Sequence, residues 1–482
     1  MNKAMSRIDS LPEELQLQIF QQLDSLPPSE LKARQEPSLQ VIRSAQHPLK
    51  DLSRVSKRWR RIVLPLLFKH ACLRFGNPEP TGHEICTICG LGSYFRPIHP
   101  QFSKAESCHV EIASAISKQS TLQPSNLVST SSIVHPQGQA GEAATAPFAL
   151  RSYHEVQDLL AFVRKERLVL SITSFVLLIE QLEAEKASRY PPRPRDWRYP
   201  AAADLWQQLL SVVDPERICI LAPPIDLACL TNAAIDTVGD WAFSDMAFHF
   251  LELRQDSSMS HTLTEPVDYK ALAPFPGQFP GFAASSLIRL RPWAHVSLNE
   301  GSFLKAYGTY EYFERGPPSL VYSINHCFTP LGRSYQLIPG TWPLSALRTF
   351  TYTAIFPFSN HVDFKQMLPY IEELDVRFAP DVESGILDDR QRIGRAQLQD
   401  CWQELTSAYY ALCAVLSTHR MSEAIFPKLK KFVCGDSRVE GIREDLEELF
   451  TPLHLPVWAE MRPGVFERLA MSPRLPGIND QV

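Results

Sequence analysis

Cys86-Thr87-Ile88-Cys89-Gly90 is the stretch with the clearest capacity for chemistry. Two thiolates at C-x-x-C spacing can share one Zn²⁺, but a structural zinc site takes four ligands. The nearest other donors are Cys108 and His109, with His83 and His99 alongside. Cys108 and His109 are chain neighbours, and adjacent residues seldom both point at one metal. No second C-x-x-C or matching His pair follows, so these are read as loop cysteines without metal. A zinc on Cys86, Cys89, Cys108 and His109 is the minor alternative. No thioredoxin-like βαβ pattern surrounds the pair, which leaves a redox role unsupported.

The remaining candidates carry less. No G-x-S-x-G, P-loop, G-x-G-x-x-G or H-E-x-x-H pattern is present, so no catalytic residue and no cofactor is assigned. His295, His326 and His361 fall at or near expected strand ends and are read as structural, and Arg151, Tyr153 and His154 are uninformative. Tyr307, Tyr310, Tyr312 and Phe313 form a dense aromatic patch with Glu311, Glu314 and Arg315. Exposed, it would supply binding anchors; buried, which is the preferred reading, it is core. The run Lys57-Arg58-Trp59-Arg60-Arg61 has the composition of a nucleic-acid or import patch. It lies on one short helix with solvent-facing charge, and the chain carries a net charge of −5, so no nucleic-acid partner is expected.

Most of these groups sit outside the two segments with the strongest helical pattern. The first is Ser10-Leu11-Pro12-Glu13-Glu14-Leu15-Gln16-Leu17-Gln18-Ile19-Phe20-Gln21-Gln22-Leu23. Ser10 and Glu13 have capping-box spacing, and Pro12 suits the first helical position. Glu13 and Glu14 complement the helix dipole. Leu15, Ile19, Phe20 and Leu23 recur on one helical face. The second segment places Leu49, Leu52, Val55, Ser56 and Trp59 along one side. A third apolar stretch, Ile62 to Leu73, contains Pro65, where a new helix is expected to start. Each helix alone is marginal in water, so they must pack together or on something else.

These residues resemble the F-box. Leu11, Pro12, Glu14, Leu15, Ile19, Phe20, Leu23, Leu52, Val55, Ser56 and Trp59 match the family pattern, and Leu64-Pro65-Leu66-Leu67-Phe68 is similar to the third helix of fungal members. The resemblance covers residues 8–75 and implies docking on a Skp-type adaptor, and through it a cullin. It implies that Leu11, Pro12, Leu15, Ile19, Leu52, Val55 and Trp59 form or support the adaptor-facing surface. One departure is the long segment Asp24 to Pro48, interrupted by Pro27, Pro28, Pro37 and Pro48. It is read as a surface insertion, since loops absorb length at low entropic cost.

Beyond the module, 482 residues suffice for two to four domains, and 39 prolines point to many interrupted connections. Residues 76–147 are read as a linker, partly disordered, because 119–147 is rich in Ser, Thr, Gln, Ala and Pro. Residues 148–465 read as an α/β domain, and 466–482 as a tail. Helix-like segments are Tyr153–Val163, Asp204–Val213 and Gln397–Ser417. One apolar spacing recurs as Leu344, Leu347, Phe350, Tyr352; as Leu368, Ile371, Leu374, Val376; and as Phe426, Leu429, Phe432, Cys434. Weaker copies end at Ile218/Ile220 and Leu251/Leu253, and Leu287/Leu290 is a candidate for another. The closing pairs at i, i+2 alternate, which suits a short strand with one buried face.

This pattern resembles the strand segment of leucine-rich repeats, in a degenerate array with uneven intervals and without the repeat's usual Asn. The expected fold class is therefore α+β or α/β: a three-helix F-box, then an irregular leucine-rich-repeat-like domain of parallel strands backed by helices. By resemblance, such a domain recruits the protein to be ubiquitinated. The implied role is the substrate-recognition subunit of an SCF-type ubiquitin ligase, non-catalytic, with an unassigned target. The alternative is an F-box scaffold or regulator acting with the adaptor alone; a hydrolase with a hidden site is a weaker third. The longest charge-free apolar run, Leu168 to Ile179, is too short to span a bilayer, so no membrane partner is expected. Ten scattered cysteines without a secretory pattern place the chain in the cytoplasm or nucleus.

Overall fold

The architecture is organised by two side-chain rows that start at one edge of a sheet and cross most of it. In one, Ala71, Phe175, Ile218, Leu253, Val296, Phe350, Leu374, Phe432 and Phe466 stand in register. Two residues along each strand, Leu73, Leu177, Ile220, Leu251, Leu298, Tyr352, Val376 and Cys434 form the second. All are buried. The alternating pairs read from the sequence at Phe350/Tyr352, Leu374/Val376, Phe432/Cys434, Ile218/Ile220 and Leu251/Leu253 lie in these rows, because a pleated strand sends every second residue to one face.

The structure is a computed structural model. It describes residues 8, 10–43, 48–75, 148–180, 198–233, 235, 240–256, 286–328, 344, 346–417, 428–451 and 458–469. The candidate ligands Cys86, Cys89, Cys108 and His109, the linker 76–147 and Phe426 lie outside the described residues. The chain divides into two units, 78–159 and the remainder.

Helices α1 (Glu13–Gln21), α2 (Pro28–Leu31), α3 (Pro48–Leu52) and α4 (Lys57–Leu67) precede strand β1 (His70–Phe75). Helix α5 (Phe148–Lys165) leads to β2 (Ser174–Ile179), α6 (Arg198–Leu210) to β3 (Arg217–Ala222), and α7 (Pro224–Thr231) to β4 (His249–Gln255). Then come α8 (Leu287–Leu290), β5 (Trp293–Ser302), α9 (Leu304–Tyr307), α10 (Val321–His326), β6 (Thr349–Ile355) and β7 (Glu373–Arg377). Helices α11 (Arg390–Ile393) and α12 (Leu398–Ser417), β8 (Lys431–Cys434), α13 (Arg443–Phe450), β9 (Trp458–Arg462) and β10 (Val465–Arg468) follow. Among the described residues the strands form one sheet in chain order, except that β10 lies between β8 and β9. The result is a helical N-terminal region followed by a mixed α/β sheet.

Several expectations change. The third apolar stretch does not begin a new helix at Pro65: α4 runs through it, and His70–Phe75 is a strand paired with β2. Burial of Ile62, Val63 and Leu64 holds the helix against the loss of one backbone bond. The strands are not all parallel, because β4 runs antiparallel to both β3 and β5. Its register pairs Ala222 with His249, so the connection through α7 returns at the end where β3 finished. A parallel neighbour would need a crossover to the other end. Leu287 and Leu290 lie in α8 rather than in a strand. The sheet also continues to Arg468, inside the segment read as tail.

The helical face of the sheet is packed with rings. Tyr409 of α12 and Phe450 of α13 lie 5.8 Å apart between centroids, and Phe450 meets Phe432 and Phe466 at 5.9 and 5.2 Å. The opposite face of the first strands is covered by the segment between α1 and α3. That segment is not the surface insertion expected from the sequence. Val41 is buried against Val176, Leu178, Cys219, Leu221 and Phe250. Arg217, on β3, donates to the Ser29 hydroxyl at 3.0 Å and to its carbonyl at 2.9 Å. Asn299, on β5, donates to the carbonyls of Ala33 and Gln35 at 2.9 and 2.7 Å. Glu36 pairs with Arg392 of α11, and Arg34 pairs with Asp375 of β7. The prolines mark breaks in regular structure, but these distant partners decide where the segment lies.

Candidate functional site

The N-terminal helices build a small core with an apolar row outside it. Phe20, Leu49, Trp59, Ile62 and Val63 are the centre, with Leu17, Leu52, Leu66 and Leu67 packed against them. The Phe20 and Trp59 rings meet at 5.1 Å. Helix α4 is capped by Ser56, whose hydroxyl accepts from the Trp59 backbone N–H at 3.1 Å. It is tied to α1 by Arg58, which donates to the Leu11 carbonyl at 3.0 Å, and by an Arg61–Glu13 ion pair at 2.8 Å. The basic run thus spends two of its arginines on holding the module together.

The start of α1 differs from the expected capping box. Pro12 is the N-cap itself, with extended ψ, and supplies no side-chain hydrogen bond to the helix. Gln16, fully buried, instead donates from Nε2 to the carbonyls of Ile8 and Leu11 at 2.8 and 3.1 Å. This fixes the turn that carries Leu11 and Pro12 into the helix.

The residues assigned to the adaptor surface divide accordingly. Pro12, Leu15, Ile19 and Val55 are exposed; Leu11 and Leu52 are half-buried; Trp59 lies in the core. Leu15 and Ile19 are 44% and 42% exposed, and Leu23, in the turn after α1, is 41% exposed. Spaced by four, the three occupy one side of the helix. Phe20 points into the core instead. Leu23 and the exposed Leu26 were not among the assigned residues; for Leu23 the i, i+4, i+8 spacing was the available signal. Full burial of such a side chain contributes about 1.5–3 kcal/mol, so an exposed row is a binding resource with no chemistry of its own.

Of the other singled-out groups, the histidine His361 is held in the fold. His361 Nε2 lies 3.1 Å from a Glu300 carboxylate oxygen, and the Tyr352 hydroxyl donates to Glu300 at 2.7 Å. Ser319 donates to the other Glu300 oxygen. Burial would raise the Glu300 carboxyl, but His361, with His249 and the Ser319 hydroxyl, outweighs this and holds it below its ordinary range. His295 is half-buried in β5. The aromatic patch splits: Tyr307 is buried and donates to the Phe356 carbonyl at 3.0 Å, whereas Tyr310 and Phe313 are exposed. Among the described residues no cluster of His, Cys, Asp or Glu is arranged to hold a metal ion. No described helix is long and apolar enough to cross a membrane.

A comparison with protein families matches residues 8–74 to the F-box-like family. No curated protein and no solved structure matches the chain. The F-box-like match covers the four N-terminal helices and most of β1.

Proposed function

We propose that this chain is the substrate-recognition subunit of an SCF-type cullin–RING ubiquitin ligase. The observation that carries the reading is an F-box-like match over residues 8–74 whose helices expose the row Leu15, Ile19, Leu23. F-box regions dock on a Skp-type adaptor, which connects to the cullin. Leu11, Pro12, Leu15, Ile19 and Val55 would meet the adaptor, and Leu52 and Trp59 would support them from within. The sheet domain would hold the target. The protein then contributes proximity, raising the effective concentration of target lysines near the charged ubiquitin carrier, and makes no bond itself. A degenerate leucine-rich-repeat origin for the sheet is supported by strands that neighbour each other in chain order. The reversed β4, and the antiparallel β10 between β8 and β9, depart from that pattern.

The test uses the full chain, because β1 and the segment after α1 are built into the sheet. Wild-type protein should co-purify a Skp-type adaptor at micromolar concentration and retain a cullin through it. Leu15→Asp with Ile19→Asp should abolish capture with an unchanged unfolding midpoint, since both side chains are exposed. Absence of any adaptor complex with wild-type protein sinks the reading.

A further inference from the structure

The segment between α1 and α3 covers the face of β2–β5 opposite α12 and α13 and reaches β7 through Arg34. Beyond it, a cavity of about 560 Å³ opens over β7, β8 and the β9–β10 turn. That volume lies within the ~300–1,000 Å³ range of ligand sites. Its floor includes Val433 and Val465, which face each other across the antiparallel β8–β10 pair. Its walls carry five cationic side chains and three carboxylates.

The carboxylates are already matched. Asp375 pairs with Arg34, Asp381 with Arg377 at 3.3 Å, and Glu373 with Lys431 at 2.7 Å. This leaves Arg438 and Arg462, both exposed and without an ion pair among the described residues. An apolar floor under two uncommitted guanidiniums fits a chain that carries apolar and carboxylate side chains in alternation. A nucleic acid fits less well, because two uncommitted guanidiniums match few of its closely spaced phosphates.

We infer that this groove is a docking site for an acidic, partly apolar segment of a protein partner, with Arg438 and Arg462 as its charge-reading residues. The inference rests on the function proposed above and gives the chemistry of the target that the sheet domain would recognise. Charges at the edge of such a site steer encounter and make binding salt-dependent, while the apolar floor supplies contact area.

The test is fluorescence anisotropy with the full chain and a short labelled peptide alternating Glu and Val. Its Lys–Val counterpart and a labelled oligo-dT are run beside it. The Glu–Val peptide should bind, more weakly as salt rises, and Arg438→Glu with Arg462→Glu should weaken it at least tenfold. Adaptor capture, measured on the same preparations, should be unchanged; its loss in wild-type protein would overturn the ligase reading and leave the peptide result standing. If the double Glu variant fails to fold, Arg438→Gln with Arg462→Gln is read instead, with at least a threefold loss expected. No wild-type binding of the Glu–Val peptide, equal or tighter binding of the Lys–Val peptide or oligo-dT, or full affinity in the substituted protein would each overturn the inference.

Discussion

Strands β2 and β3 and strands β7 and β8 belong to one sheet but face different surroundings. Every residue of β2 and β3 is buried, whereas β8 alternates buried and half-buried, and β7 has half-buried ends. The first pair reads Ser-Phe-Val-Leu-Leu-Ile and Arg-Ile-Cys-Ile-Leu-Ala, near-continuous apolar runs of the kind found in strands covered on both faces. The second pair reads Glu-Leu-Asp-Val-Arg and Lys-Phe-Val-Cys. The covering layer over the first pair is the chain between the two motif halves of the N-terminal module. Strand composition therefore marks how far that cover extends, and the segment that joins the two motif halves is packed on the covered half of the sheet.

Arg217 and Lys431 occupy the same cross-sheet row and test this contrast directly. Arg217 makes a bidentate pair with Glu252 at 2.9 and 3.0 Å, and its side chain is 4% exposed. Burial would raise the Glu252 carboxyl, but the bonded guanidinium outweighs it and holds the carboxyl below its ordinary range. Arg217→Met leaves that carboxylate buried without its main partner and should cost about 3–5 kcal/mol in denaturant unfolding. A cost below about 1 kcal/mol would show that the cover admits water.

The two halves should also respond oppositely to pH. Asp436, fully buried behind the end of β7, accepts from the backbone N–H groups of Phe378 and Ala379 at 2.6 and 2.8 Å and from Tyr409 at 2.5 Å. Burial nevertheless pushes its carboxyl up to about 6 from an ordinary 3.8. The folded state binds the extra proton between those values, so this group favours folding on acidification and opposes it as pH rises. His249, buried in β4, is pushed down by burial to about 4 from 6.5, so its contribution is lost as pH falls through that window. Asp436→Asn removes the first effect. The variant should lose stability between pH 6 and pH 4 more steeply than wild type, by up to about 3 kcal/mol. Parallel stability–pH curves would contradict this.

Smaller effects complete the comparison. Val41→Ala, under the cover, should destabilise by about 2 kcal/mol in equilibrium unfolding, a buried-methyl loss. An effect within about 0.5 kcal/mol, the range of ordinary surface substitutions, would mean that Val41 is not packed. Lys431→Met breaks a half-exposed pair with Glu373 and should cost less than about 1 kcal/mol, falling further in high salt. A cost matching that of Arg217→Met would erase the distinction between the halves.

Much of the sheet was legible as alternation. The pairs ending at Tyr352, Val376 and Cys434 marked strands because a period of two is a local property. The helix-like segments at Tyr153–Val163, Asp204–Val213 and Gln397–Ser417 overlap α5, α6 and α12 for a similar reason. The N-terminal module was legible through its spacing, but not the division of its apolar residues. Trp59 and Leu15 look equally suited to an interface in sequence; only the packing of Phe20 on Trp59 turns one inward and leaves the other exposed.

By itself the sequence determined the helical module, the apolar positions of the strands and the charge available along them, because each depends on residues a few places apart. Tertiary structure alone decided the direction of β4, the path of residues 24–43 over the sheet and the groove left open beyond Arg34. Those outcomes depend on pairs such as Arg217 with Ser29, Asn299 with Ala33 and Asp375 with Arg34. Such partners lie 188 to 341 residues apart, and no local pattern records which buried polar group will satisfy which.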